Sequence, residues 1–108
     1  MAREVTQEAF AAAWADGALV VDVREADEYT AGHVPGARLM PLRTVPARCG
    51  ELPSGRPLFV ICASGNRSRT AADGMNSRGI DAYSVAGGTS AWARAGRPVA
   101  AGPAEHAA

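Results

Sequence analysis

The chain has 108 residues, 47% of them hydrophobic, which suits one small folded domain with a single core. Its 11 basic and 11 acidic residues cancel, so nucleic acid is not expected as the main partner. No apolar stretch is long enough to cross a membrane and the first residues lack an apolar signal region, so we expect no membrane partner and a cytoplasmic location.

Helical and extended patterns alternate along the chain. Helices are predicted from Thr6 to Asp16, from Glu25 to Tyr29, from Asn66 to Arg78, and after a Thr89 cap through Trp92. Strands are predicted at 19–23, 37–40, 58–61 and 82–85, where apolar residues run almost without interruption. This alternation predicts an α/β fold with a parallel sheet and helices on both faces. We expect one domain over residues 1–100 and a flexible tail over residues 101–108.

The strongest functional signal lies in residues 58–68 (LFVICASGNRS). An apolar strand ends at Cys62, and a short loop containing Gly65 leads into a predicted helix. Unpaired backbone N–H groups and the helix dipole favour an anion at such a place. We therefore expect Cys62 to have a pKa of ~3.5–7.5 rather than the usual ~8.5, and to act as a nucleophilic thiolate.

The second cysteine, Cys49, lies thirteen positions earlier in a turn-rich connector. This spacing matches no common zinc motif, and His33 and His106 supply no paired ligand, so neither a metal nor a cofactor is expected. We interpret Cys49 as an incidental thiol; a resolving partner for Cys62 is the minor alternative.

Four segments, in order, resemble the signatures of the rhodanese-like sulfurtransferase family in its single-domain form. Residues 20–24 (VVDVR) resemble the strand that leads into the family's Asp-x-Arg, and residues 28–37 (EYTAGHVPGA) its first signature. Residues 62–67 (CASGNR) resemble its active-site loop, and residues 85–92 (VAGGTSAW) its terminal signature. The resemblance covers nearly the whole chain and implies a five-stranded parallel sheet flanked by helices.

The resemblance also implies a persulfide cycle on Cys62. The thiolate would take the outer sulfur of a small anionic donor such as thiosulfate, and cyanide or a small or protein thiol would then accept it. The implied active-site loop consists of Ala63, Ser64, Gly65, Asn66, Arg67 and Ser68. Thiosulfate is favoured because Arg67 and Arg69 lie beside the loop, although Ala63 is neither the cation typical of thiosulfate enzymes nor the glycine typical of mercaptopyruvate enzymes.

Several residues keep two interpretations. Arg67 either binds the sulfonate of the donor or pairs with an acidic residue. Ser68 either donates to the persulfide, as Ser64 could, or caps the following helix. For the supporting residues Asp22 and Arg24 we favour a structural role. His33 is expected to brace a turn, and both tryptophans to pack in or beside the core.

Two further functions compete with the enzyme. A sulfur carrier or regulatory module would keep the persulfide with little free turnover. A phosphatase or arsenate reductase is disfavoured, because related phosphatases carry an arginine six positions after the cysteine. Here that position is Ser68 and the arginine comes one residue early, so the loop leaves little room for a tetrahedral oxyanion.

Overall fold

Five parallel strands form one sheet in the computed structural model, which describes residues 3–105. The strands are β1 (Arg3–Val5), β2 (Leu19–Asp22), β3 (Arg38–Leu39), β4 (Leu58–Ile61) and β5 (Ala82–Val85). They lie in the order β1-β5-β4-β2-β3, so β4 is the central strand. The predicted α/β fold is confirmed.

Five α-helices cover the sheet. They are α1 (Gln7–Ala15), α2 (Ala26–Ala31), α3 (Val45–Arg48), α4 (Asn66–Asn76) and α5 (Gly88–Arg94). As predicted, Thr6 caps α1: its hydroxyl oxygen accepts a hydrogen bond from the N–H of Ala9 at 3.1 Å.

The core lies on both faces of the sheet. Because side chains alternate along a strand, neighbours such as Val20 and Val21 enter different clusters. One cluster joins the sheet to α3 and α4, and the other joins it to α1 and α5. The apolar runs 19–21 of β2 and 58–61 of β4 therefore belong to strands buried on both faces.

The edge strand β1 was missed by the sequence pattern. It has only three residues, Arg3 and Glu4 are charged, and both side chains are exposed. Pairing with β5 makes it a strand, and the Arg3 side chain binds Asp81 and stacks over Tyr83. Tertiary pairing rather than local propensity determines this strand.

Some predicted boundaries were wrong. β3 is two residues long instead of four, and α4 ends at Asn76 rather than Arg78. Thr89 does not cap the last helix: Gly87 occupies the N-cap with a φ of 79°, and α5 begins at Gly88. The Thr89 hydroxyl is buried and has no hydrogen-bond partner among the described residues.

The chain beyond α5 packs against the end of α2 and the loop between α2 and β3. Ala100 bridges His33 in antiparallel fashion, and the carbonyl of Glu105 accepts a hydrogen bond from the N–H of Gly36. The proposed domain limit at residue 100 and the flexible tail stay predictions, and residues 106–108 lie outside the described residues.

Within residues 3–105, none of the helices has both the length and the apolar character that crossing a membrane requires. The cytoplasmic location stays a prediction.

Candidate active site

Cys62 lies directly after β4, at the carboxyl edge of the sheet where α/β proteins build their sites. Residues 63–65 then turn the chain into α4. Gly65 is the N-cap of this helix and has a φ of 118°, a left-handed conformation that a side chain disfavours. In this loop Ala63 is half-buried, whereas Ser64 and Asn66 are exposed.

The sulfur of Cys62 is surrounded by hydrogen-bond donors. The N–H of Gly65 donates to Sγ at 3.1 Å, and the Ser68 hydroxyl oxygen lies 3.4 Å from Sγ. Burial raises the pKa of the Cys62 thiol, but the Ser68 side chain lowers it. The backbone N–H groups of Ser68, Gly65 and Ser64 lower it further, so the net pKa of Cys62 lies below its usual value. This direction agrees with the expectation from the sequence.

Ser68 connects the sulfur to a second buried hydroxyl. Its Oγ lies 2.7 Å from the Oγ of Ser84 on β5 and 3.1 Å from the carbonyl oxygen of Gly65. Ser68 and Ser84 are both fully buried. Ser68 has one hydroxyl hydrogen, which the carbonyl of Gly65 accepts in this arrangement; when Cys62 is ionised, the same hydrogen can instead be donated to the thiolate while Ser68 accepts from Ser84. In the thiolate state the pair can therefore form a relay of two hydroxyls that ends at the sulfur.

Ser68→Ala is expected to raise the pKa of Cys62, because it removes a side-chain hydrogen bond that stabilises the thiolate. The pH dependence of thiolate absorbance or of alkylation at Cys62 measures this shift. Ser84→Ala, which acts through Ser68, is expected to give a smaller shift in the same direction. Ser64→Ala is the matched control, because the backbone N–H of residue 64 is retained. Equal pKa values in Ser68→Ala and Ser64→Ala would contradict the relay.

The first turn of α5 holds the backbone of the loop in place. The N–H of Thr89 donates to the carbonyl of Cys62 at 2.8 Å, and that of Ser90 to the carbonyl of Ala63 at 3.0 Å. In a trans peptide the N–H points opposite to the C=O, so the N–H groups of Ala63 and Ser64 face away from α5. These contacts fix the orientation of the loop amides before any ligand binds.

Arg67 forms a two-pronged ion pair with Glu28 of α2. Its Nη1 and Nη2 donate to Oε1 and Oε2 of Glu28 at 2.7 and 2.8 Å. The Arg67 guanidinium lowers the pKa of Glu28 to about 2. Of the two interpretations of Arg67, pairing with an acidic residue is the one observed, and contact with substrate stays a prediction.

Asp22 and Arg24 form a buried ion pair at the end of β2. Nε and Nη2 of Arg24 donate to both carboxylate oxygens at 2.8–3.2 Å, and the backbone N–H of Arg24 donates to Oδ1. Nη2 also donates to the carbonyl of Gly32 at 2.7 Å. The pair thus ties the end of β2 to the end of α2, a structural arrangement of the kind favoured from the sequence.

The hydrogen bonds given for the remaining candidates are to groups other than the Cys62 sulfur. His33 stacks on Tyr29 at 3.7 Å, and its ring nitrogens lie 2.8 and 3.1 Å from the carbonyls of Tyr29 and Glu105, so it braces the turn as expected. Cys49 is buried, forms no disulfide with Cys62, and accepts a hydrogen bond from Arg78 at 2.9 Å.

A groove of about 620 Å³ lies at the opposite end of the sheet. Its lining includes Leu19 and Leu58, the first residues of β2 and β4, together with Trp14 and Pro35. Cys62 follows the other end of β4, so this groove is separate from the candidate site. Across residues 3–105 there is no group of three histidine, cysteine or acidic side chains arranged to hold a metal.

Three residues of the site were not identified from the sequence as part of it: Ser84, Glu28 and Gly88. For Ser84 the sequence offered one signal. It is a lone serine in the apolar strand predicted at 82–85, and a buried hydroxyl requires a hydrogen-bond partner. Gly88 lies in the segment 85–92, where nothing in the sequence indicates a contact with the Cys62 loop. Glu28 stood inside a quoted signature, but its partner lies 39 residues away in sequence.

Comparison with known proteins identifies the family of this chain. The profile of the Rhodanese-like domain matches residues 6–95. A sulfurtransferase of Allochromatium vinosum is 34% identical over 104 residues, covering 94% of this chain and 97% of that protein. The crystal structure of a rhodanese-related protein from Thermoplasma volcanium has a TM-score of 0.84 at 28% identity and covers 90% of this chain and 96% of that one. The thiosulfate sulfurtransferase of Pseudomonas aeruginosa has a TM-score of 0.83 at 25% identity; the match covers 96% of this chain but 20% of that one. The chain therefore belongs to the rhodanese-like family.

Proposed function

We propose that this protein is a sulfurtransferase that carries sulfur as a persulfide on Cys62. The observation that carries this proposal is the position of Sγ, which accepts from the Gly65 N–H and contacts the Ser68 hydroxyl. These donors stabilise negative charge on sulfur without having to move. The sulfurtransferase of A. vinosum and the thiosulfate sulfurtransferase of P. aeruginosa support the same class of reaction.

In the first half-reaction the Cys62 thiolate attacks the outer sulfur of a sulfane donor. With thiosulfate, the S–S bond of the donor breaks and sulfite leaves with its electron pair. The product is Cys62–S–S⁻, and its terminal sulfur needs the same donors as the thiolate. Splitting the transfer into two covalent steps lowers the barrier of each.

In the second half-reaction a nucleophile, cyanide or a thiolate, attacks the terminal sulfur of the persulfide. The S–S bond of the persulfide breaks and the electron pair returns to the Cys62 sulfur. The thiolate is thereby regenerated, and no external oxidant, reductant or cofactor enters the balance.

A sulfur carrier with little free turnover is the second candidate. The observation that favours it is the pairing of the arginines beside the loop: Arg67 binds Glu28, and Arg69 binds Glu4 and Asn66. The loop therefore offers little net positive charge to attract a small anion. A protein partner does not depend on that charge, because it can bind through other surface contacts. The Arg67 pairing also weighs against a phosphatase, which uses the loop arginine to bind the substrate.

Intact-mass spectrometry after incubation with thiosulfate tests the proposal. The wild-type chain is expected to gain the mass of one sulfur atom. Cys62→Ser is expected to gain none, because it lacks the nucleophile. Cys49→Ser, the matched control, is expected to gain one sulfur atom as the wild type does.

Absence of any gain with thiosulfate, with inorganic polysulfide and with a low-molecular-weight persulfide would overturn both the enzyme and the carrier. Once the persulfide is observed, rapid formation of thiocyanate from thiosulfate and cyanide would favour the enzyme. A stable persulfide that transfers only to a protein thiol would favour the carrier.

A further inference from the structure

The ion pair between Arg67 and Glu28 is held by more than its own charges. Glu28 is the third residue of α2, and its Oε1 also accepts a hydrogen bond from the N–H of Glu25 at 3.0 Å. The side chain of Glu25 in turn accepts a hydrogen bond from the backbone N–H of Glu28, which completes a capping box. The carboxylate is therefore fixed by the first turn of a helix, and it holds the guanidinium in one geometry.

The pair lies at the edge of the sheet that carries the sulfur. Glu28 belongs to the helix after β2, and Arg67 to the first turn after the Cys62 loop, and β2 and β4 are neighbours. The hydrogen bonds that Arg67 donates to Glu28 are the main cause of the raised pKa of Arg67, and the negative charge of Cys62 contributes in the same direction. Because Arg67 lies five residues after Cys62, in the first turn of α4, its charge sits beside the loop that an anion has to approach.

Carboxylates also neutralise three other arginines in the segments that follow β2, β3 and β4. Arg24 is paired with Asp22, Arg43 with Glu25 and Arg69 with Glu4. Among the arginines beside the Cys62 loop, Arg67 is the one whose charge Glu28 neutralises. A free oxyanion donor gains from an exposed cation, but an organic persulfide has no sulfonate group to bind there.

We propose that Glu28 is a specificity-determining residue, which by neutralising Arg67 disfavours small oxyanion donors such as thiosulfate and selects donors that present their sulfur as an organic persulfide. This inference rests on the proposed function for its choice of donor. The electrostatic part of it concerns any anion that approaches Cys62 and can be tested without sulfur transfer.

The test compares two alkylating reagents of almost the same size, iodoacetate and iodoacetamide, at Cys62. Reaction is followed by mass spectrometry of the peptide that contains Cys62, which separates it from Cys49. Glu28→Gln retains an oxygen acceptor for the N–H of Glu25 but removes the negative charge. It is expected to raise the iodoacetate-to-iodoacetamide rate ratio about 5-fold at low salt, as expected for one charge several ångströms from the reagent. High salt should suppress the increase.

Glu25→Gln is the matched control. It removes the same charge from the same helix, but its partner Arg43 has a side chain that is 71% exposed, so the rate ratio is expected to stay near that of the wild type. The double variant Glu28→Gln with Arg67→Gln should return the ratio to the wild-type value, because it also removes Arg67, the cation that Glu28→Gln leaves without a counter-ion. A purely structural role of Glu28 would not produce this reversal.

The same variants are then assayed for persulfide formation. In Glu28→Gln, kcat/KM for thiosulfate is expected to rise about 10- to 30-fold, because the donor carries two charges, while the rate with an organic persulfide changes little. An unchanged alkylation ratio in Glu28→Gln, or an equal change in Glu25→Gln, overturns the inference, and so does an unchanged thiosulfate rate in variants that form the persulfide. If no variant forms a persulfide, the proposed function fails, but the alkylation ratio still decides whether Glu28 screens Arg67.

Discussion

Gly88→Ala is expected to lower the rate of persulfide formation at Cys62 about 100-fold. A Cβ at this position would lie 2.5 Å from the carbonyl oxygen of Ala63, and closer still to that of Cys62. Both atoms are backbone and cannot swing aside, so the loop has to move by about 1 Å, a displacement that costs about 10²-fold in rate. The measurement is the single-turnover rate of mass gain at saturating donor.

The same substitution should destabilise the fold. Gly88 has a φ of 58°, where a side chain adds strain, and displacement of the loop weakens the hydrogen bonds of Thr89 and Ser90 to it. Together with the overpacking, we expect a loss of about 2–4 kcal/mol in the free energy of unfolding. Urea denaturation measures it, and the rate is compared at a temperature where the variant is fully folded.

Gly74→Ala provides the control. Gly74 lies on the exposed side of α4, and a Cβ there would have nothing within 4 Å. Alanine in a helix interior should raise stability by up to about 1 kcal/mol and leave the rate unchanged. If Gly88→Ala reacted at the rate of Gly74→Ala, contact with α5 would not position the loop.

Local sequence signals were sufficient to locate Cys62. The apolar run 58–61 predicts a buried strand, and Gly65 with the polar residues after it predicts the turn into a helix. Both depend on residues that are adjacent in sequence. The N-cap of α1 at Thr6 was predictable for the same reason, since the hydroxyl and the N–H of Ala9 are three residues apart.

Contacts between distant segments were not predictable in this way. The strand β1 exists because β5 offers its edge, and nothing in Arg3–Val5 itself indicates an extended conformation. The hydroxyls of Ser68 and Ser84 meet only because α4 packs on β5, 16 residues later in the chain. Thr89 was expected to cap α5 from its residue type, but Gly88 packs closely against the Cys62 loop and the helix begins there, two residues earlier than a Thr89 cap predicts.

The arginines beside the loop show the same limit of prediction from sequence. Composition and position suggested that Arg67 and Arg69 make the entrance positive. The structure pairs them with Glu28 and Glu4, residues 39 and 65 positions away in sequence. Charge counted along a chain does not give the field at a site, because the fold decides which charges cancel.

Asp22→Ala is expected to lower the free energy of unfolding by about 3–5 kcal/mol, because it leaves the buried guanidinium of Arg24 without a counter-ion. The Asp22 side chain is fully buried and that of Arg24 is 7% exposed. The backbone N–H of Arg24 also loses its acceptor, Oδ1 of Asp22. Urea denaturation gives the change as a lower midpoint.

Asp81→Ala is the comparison for this prediction. Asp81 also pairs with an arginine, Arg3, but both side chains are more than one-third exposed, so its loss should cost at most about 1 kcal/mol. Asp22→Asn, which keeps an acceptor for the Arg24 N–H, is expected to fall between the two and serves if Asp22→Ala does not fold. A cost for Asp22→Asn no larger than that of Asp81→Ala would mean that the buried pair does not hold the end of β2 to α2. In that case α2 and its Glu28 would be positioned by the capping box and by the packing of Tyr29 alone.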